Sequence, residues 1–187
     1  MAQQTQFSAI DIKQLWYIPA ASVTVEPVDN AKIQALIAQE GCVEVKNIHQ
    51  DTWAIEEAES SQDSYKNQLS GSVYRMGKKV MGDVTFAFTI GQYDFKTKAD
   101  LLGGTATDHS WKRQRGIPNN IYMCMIALTT DDIYCVLPKA NVNVREANTD
   151  GAIGLAVVAT ALEPSNSGNT NRESWSPEIW VEHEYIG

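Results

Sequence analysis

The sequence predicts a mainly β protein with one α-helix lying on its sheet. Three observations carry this: an alternating apolar strand at 84–90, a short amphipathic helix at 94–102 that stops on Gly103-Gly104, and a dense apolar hairpin at 120–137 followed by long strands. The order β-α-β-β-β, with no recognisable catalytic motif, points to a structural building block rather than an enzyme. At 187 residues the chain suits one domain with a real core. Its 43% hydrophobic and 20% charged residues exclude disordered and collagen-like classes. The net charge of -8 argues against general affinity for nucleic-acid phosphate, whose usual footprint is basic.

Residues 1–8 are polar and Gln-rich and read as a mobile arm. Short strands are expected at 15–18 and 22–28, punctuated by Pro19 and Pro27. Residues 29–40 read as a short helix capped by Asp29 or Asn30, with Ile33, Leu36 and Ile37 on one side and Gly41 as the stop; a loop is the alternative. Residues 43–48 and 52–58 read as paired strands around His49-Gln50-Asp51, with Trp53 and Ile55 on one face. From 59 to 79 the chain turns polar and is broken by Gly71 and Gly77. A loop of that length either contacts something or moves.

At 84–90, Val84, Phe86, Phe88 and Ile90 alternate with Thr85, Ala87 and Thr89, so one face is core. In the helix that follows, Phe95, Ala99 and Leu102 share a side, and Asp94 with Lys98 and Lys96 with Asp100 form i,i+4 pairs. The hairpin at 120–137 turns at 129–132. Pairing Thr129 with Asp132 groups Tyr122, Cys124, Ile126 and Leu128 with Ile133, Cys135 and Leu137. The other face, Ile121, Met123, Met125 and Ala127 beside Tyr134 and Val136, is equally apolar, so both need cover from a helix, a second sheet or another subunit. Strands follow at 140–145 and 152–162, then a Ser/Asn/Gly-rich loop at 163–177 and a last strand at 178–185.

The chemistry-bearing residues are sparse. Cys42, Cys124 and Cys135 have no metal-ligand spacing and form no disulfide framework; Cys124 and Cys135 read as buried thiols in a reducing compartment. Asp108-His109-Ser110 holds triad residue types, but neighbours in sequence cannot line up as nucleophile, base and orienter. The run from Gly71 to Lys79 lacks the hydroxyl residue a phosphate loop needs. In Glu182-His183-Glu184, strand alternation sends the histidine away from the carboxylates. Lys112, Arg113 and Arg115 follow Trp111 as a basic cluster that suits phosphate, an acidic neighbouring surface or simply solvent. Trp16, Trp53, Trp111, Trp175 and Trp180 are scattered, which favours core or interface packing over a sugar platform. Residues 1–22 lack a signal-peptide pattern and no run spans a bilayer, so a soluble, cytoplasmically made protein is expected.

Four stretches together, VTFAFTI (84–90), YDFKTKADLLGGT (93–105), ALTTDDIYCVLPKANV (127–142) and GAIGLAVVATALEP (151–164), resemble the major tail tube proteins of tailed bacteriophages and prophages. The resemblance covers a little under half the chain and is one of pattern: a helix ending at a double glycine, a hairpin into a Pro-Lys-Ala strand, and a late strand after an Asp-Gly turn. It implies one tail-tube-like domain over 1–187: a β-sandwich or small barrel of two packed, mostly antiparallel sheets, with a flanking helix at about 93–102 and an interaction loop at about 59–79. It implies a virion structural protein, assembled in the host cytoplasm and located in the virion tail. Copies would form rings, hexameric by the resemblance, that stack around the tape-measure protein and later pass DNA. It brings no catalytic residue, metal or cofactor. Tyr65, Tyr74, Arg75, Lys78, Lys79, Trp111, Lys112, Arg113 and Arg115 become candidate inter-subunit contacts. A carbohydrate-binding or adhesin module, and the tube protein of a contractile injection or secretion system, are the alternatives.

Overall fold

In the computed structural model, residues 6–164, 172, 174–185 and 187 are described. Strand β1 (Gln14–Pro19) leads through a 3-10 turn (Ala20–Ser22) to helix α1 (Asn30–Ile37). Then come β2 (Val43–Glu44), β3 (Ala54–Glu57), β4 (Ser61–Lys66), β5 (Val73–Val80), β6 (Val84–Ile90) and helix α2 (Phe95–Leu102). The chain continues through β7 (Thr105–Thr107), β8 (Ser110–Lys112), β9 (Tyr122–Leu128), β10 (Ile133–Thr149), β11 (Ala152–Ala161) and β12 (Ile179–Glu182). The main sheet runs β2-β1-β9-β10-β11-β6-β3, with β12 on β10; every pairing is antiparallel.

This sheet curls until its halves face each other, which gives the sandwich. Leu15 and Tyr17 of β1, Met125 of β9 and Leu137 of β10 pack in one cluster with Leu155 and Val157 of β11 and Phe86 and Phe88 of β6. Segment 43–57 ties the two edges together: β2 pairs β1, while Ile48 bridges Ile90 and β3 pairs β6. The expected hairpin around His49 is therefore replaced by strands that pair elsewhere. Trp53 and Ile55 do share the inward face, and Trp53 meets the Phe86 ring edge-on at 5.3 Å. The reason is burial. Pairing 43–48 with 52–58 alone would leave the strong edges of β1 and β6 open to other chains.

The β9–β10 hairpin forms in a register one residue from the expected one: Leu128 faces Tyr134 and Ala127 faces Cys135. Thr129 closes it differently, accepting Asp132 N–H on its carbonyl at 3.1 Å and Ile133 N–H on its hydroxyl at 3.2 Å, with Asp132 at φ 58°. Because strand side chains alternate, that slip exchanges the faces of the second strand. Met123, Met125, Ala127, Cys135 and Leu137 line the barrel, whereas Cys124, Ile126, Leu128, Tyr134 and Val136 face outward. Helix α1 covers this outer face with Ile33 and Leu36, helped by Val23, Ile179 and Val181. Its start is set by Asp29, whose side chain accepts Lys32 N–H at 2.9 Å. The strand expected at 22–28 is irregular chain after the 3-10 turn, because Val23 is drawn under this layer and Pro27 lacks a ladder donor.

The strand expected at 140–145 is the second half of β10. A bulge interrupts the ladder between Leu137 and Ala140, placing Pro138, which has no N–H, where no ladder bond is lost. The Lys139 carbonyl accepts Leu162 N–H at 2.9 Å, and the extra residue keeps Leu137, Ala140 and Val142 on the same inward face. β10 and β11 then turn on Asp150-Gly151, at φ 50° and 86°, the signature of a two-residue hairpin turn with both centres left-handed. Helix α2 is capped by Asp94, which accepts Thr97 N–H at 2.6 Å, and buries Leu101 in the barrel cluster. The last strand is shorter than expected, and most of the expected loop at 163–177 lies outside the described residues, as do residues 1–5 of the arm.

Replacing Ile126, fully buried under α1, by alanine removes apolar contact and leaves a cavity, so urea unfolding should show a loss of about 2–5 kcal/mol. Val158→Ala, on the uncovered outer face of β11, should cost under about 1 kcal/mol in the same measurement.

Candidate interaction surface

The polar stretch expected to be a loop at 59–79 is an antiparallel ribbon. Strands β4 and β5 pair from Ser61 with Val80 to Lys66 with Val73, through two register shifts. The tip is held by Asn67, whose side chain accepts Leu69 N–H and whose N–H donates to the Ser72 carbonyl, both at 2.8 Å. Alternation in VYRMGKKV was the available signal; the polar residues around it hid it. At the root, Ala58 N–H donates to the Asp83 carbonyl at 2.9 Å. There the chain crosses itself so closely that a Cβ on Gly82 would lie 1.7 Å from the Ala58 carbonyl oxygen, so only glycine fits.

Among the described residues the ribbon makes no extended contact with another helix or strand. Every residue of β4 is exposed, and so is every residue of β5 except Gly77. Leu69 is 96% exposed, Met81 75% and Tyr74 69%, with Val73, Met76 and Val80 half or more exposed. Of these, Leu69, Val73, Met76, Val80 and Met81 were missed from sequence. Of the expected contact residues, Tyr65, Tyr74, Arg75, Lys78 and Lys79 all lie on this ribbon, and the Arg75 guanidinium sits 5.9 Å from the Tyr65 ring centre.

Trp111, Lys112, Arg113 and Arg115 belong to a second place, the small β7–β8 hairpin and the chain after it. Two of the four are committed within the molecule. Trp111 donates its indole N–H to the Gly103 carbonyl at 2.9 Å, and its ring centre lies 4.2 Å from the Lys98 ammonium and 5.4 Å from the Arg113 guanidinium. Both cations pair with Glu146 on β10, Arg113 at 3.2 Å. Lys98 thus leaves its expected partner Asp94, which caps the helix, while Lys96 keeps Asp100 at 2.7 Å. The double glycine has a role here: a Cβ on Gly104, at φ 97°, would stand 2.3 Å from the Lys112 carbonyl oxygen. Lys112 and Arg115 are exposed.

The remaining sequence candidates do not converge. Asp108 and His109 form the β7–β8 turn, where the Thr107 and Ser110 hydroxyls share a 2.8 Å hydrogen bond. His49 Nε2 lies 2.8 Å from an Asp150 carboxylate oxygen and ties segment 43–57 to the β10–β11 turn. His183 stacks on Tyr134, ring centres 5.4 Å apart. A cleft of about 690 Å3 between residues 11–15 and 45–53 presents Lys13, Lys46, His49 and Asp51. Among the described residues no group of three His, Cys, Asp or Glu side chains could hold a metal ion. Burial raises the pKa values of Cys124 and Cys135, so both thiols stay protonated in the core. Trp16 is buried, Trp53 packs on Phe86 and Phe88, Trp175 lies 5.3 Å from the Arg172 guanidinium and Trp180 bonds Glu178 at 2.6 Å, so the tryptophans form no common platform.

The chain matches no protein-family model, and no curated protein is significantly similar to it in sequence. Among the described residues no helix is long and apolar enough to cross a membrane.

The hydrogen bond from Lys98 holds the Glu146 carboxyl below its ordinary 4.5, against the opposing effect of burial. A depressed folded value stabilises above the unfolded pKa, and that gain is lost as pH falls through the folded one. Glu146→Gln should therefore unfold at lower urea than wild type at pH 7, with the gap closing as pH is lowered below about 5.

Proposed function

We propose that this protein is a structural subunit of a tubular assembly, the tail tube of a tailed bacteriophage or prophage, in which copies form rings that stack around a conduit for DNA. The observation that supports the reading most is the bare β4–β5 ribbon. An isolated two-stranded ribbon is marginal in water. This one displays Leu69, Tyr74, Met76 and Val80 to solvent while the barrel behind it is well buried. A neighbouring subunit would supply the missing burial, and a contact between a ribbon and a different surface of the next copy is heterologous, the type that closes into rings or continues into filaments.

The barrel suits such a role because segment 43–57 covers the long strands β1 and β6 and leaves only the short strands β2 and β3 at the ends of the sheet, which blunts edge-to-edge pairing. A net charge of -8 keeps the wall of a conduit from sticking to DNA phosphate. Ring copy number, hexameric by the resemblance, and contacts with a tape-measure protein belong to this proposal, as do virion-tail location and assembly in the host cytoplasm. The tube of a contractile injection or secretion system uses the same reading. The carbohydrate-binding alternative is the weaker reading, since the five tryptophans lie apart and Trp53 and Trp111 are engaged within the chain.

Replacing residues 61–80 by a two-residue turn should leave the barrel folded, with circular dichroism and urea midpoint near wild type, and should abolish rings and tubes in negative-stain micrographs. Tubes formed by the truncated chain would sink the proposal.

A further inference from the structure

We infer that the β4–β5 ribbon is a cationic latch for the acidic body of a second copy of this chain, so that ionic strength sets whether copies associate. This rests on the self-assembling reading above and adds to it the force that joins the copies. Charge is sharply divided along the chain. Residues 61–80 carry Lys66, Arg75, Lys78 and Lys79 against Asp63 alone, a net +3, which leaves -11 on the rest of a chain whose total is -8.

Five of the eleven Lys and Arg side chains outside the ribbon are held in ion pairs with the body's own carboxylates. Lys13 pairs with Asp132, Lys32 with Asp29, Lys96 with Asp100, and Lys98 and Arg113 with Glu146. None of the four ribbon cations makes an ion pair among the described residues, and all four are exposed. A nucleic-acid backbone would satisfy the cations but leave Leu69, Met76 and Val80 uncovered between them. A protein surface that is acidic overall satisfies both, and this chain's own body is one, present at the same concentration as the ribbon.

Exposed charges act over a Debye length of about 8 Å at physiological salt and about 3 Å at 1 M, so such a latch closes at low salt and opens at high salt. The test is sedimentation velocity of the full chain in NaCl from about 0.05 to 0.5 M, a range over which screening strengthens severalfold. Three proteins are compared: wild type; the quadruple variant Lys66→Gln, Arg75→Gln, Lys78→Gln and Lys79→Gln; and the double variant Leu69→Ser and Met76→Ser. Wild-type self-association should weaken by roughly tenfold or more across the range, and the quadruple variant should associate roughly tenfold more weakly at low salt with little salt dependence left. The double variant should weaken yet keep the salt slope. Circular dichroism checks folding; if the quadruple variant is misfolded, Lys78→Gln with Lys79→Gln should give a smaller shift in the same direction.

A wild type that is monomeric at every salt, a quadruple variant that associates like wild type, or a ribbon that binds duplex DNA while no self-association occurs would overturn the latch. Salt-labile oligomers without rings in micrographs would keep the latch and sink the tube. Rings unaffected by the quadruple variant would do the reverse.

Discussion

The β9–β10 strand pair is apolar on both faces, and most of the architecture follows from having to bury it twice. On one side lie Met125, Ala127, Cys135 and Leu137; on the other lie Cys124, Ile126, Leu128, Tyr134 and Val136. The inner face is covered by the far half of the same sheet, which must curl to reach it. The outer face is covered by α1. Removing either cover would expose a contiguous apolar patch of the kind that drives association. The bulge at Pro138-Lys139 lets one long strand serve both halves, because it restores the inward phase for Ala140 and Val142 after Leu137.

The same division leaves half of the outer surface bare. Where β10 pairs β11, which in turn pairs β6, its outward residues, Asn141, Asn143 and Arg145, run beside Ala156, Val158 and Thr160 and then Thr85 and Ala87. Small and mostly uncharged side chains there need no helix. The β4–β5 ribbon follows β3 and precedes β6 along the chain, and among the described residues it makes no extended contact with either layer. Deep burial is concentrated in the barrel and under α1, while the segment with least burial carries the unpaired charge and the exposed apolar side chains, as expected of elements that order against a partner.

Local chemistry made several elements legible. The alternation at 84–90, the Gly103 stop of α2, the Asp29 cap of α1 and the Asp150-Gly151 turn are all set by residues within a few positions of each other, and each is found. The face-wide apolarity of residues 121–137 announced that two covers were needed. The Trp111 clamp was half visible: its basic neighbours stood in the sequence, but Glu146, which fixes two of the cations, lies more than thirty positions from either Trp111 or Arg113 along the chain. Glu146 continues the inward phase of Val142 and Val144 to the barrel end beneath α2, and nothing in its own neighbourhood says so.

By itself the sequence determined the class, mainly β with a helix ended by paired glycines, the single dense hairpin, and the acidic net charge. Tertiary structure decided the register of that hairpin, the partners of 43–57 and the ribbon at 61–80. The physical reason is common to all three. Each is a choice between pairings with similar local propensity, and a one-residue slip or a different neighbour costs nothing until the whole set of faces must be buried at once. For β9–β10 that requirement selected the pairing that sends Tyr134 under α1 and Leu137 into the barrel. For the ribbon no such requirement acts among the described residues, so its exposed side chains came to light only when the fold showed that none of those residues covers them.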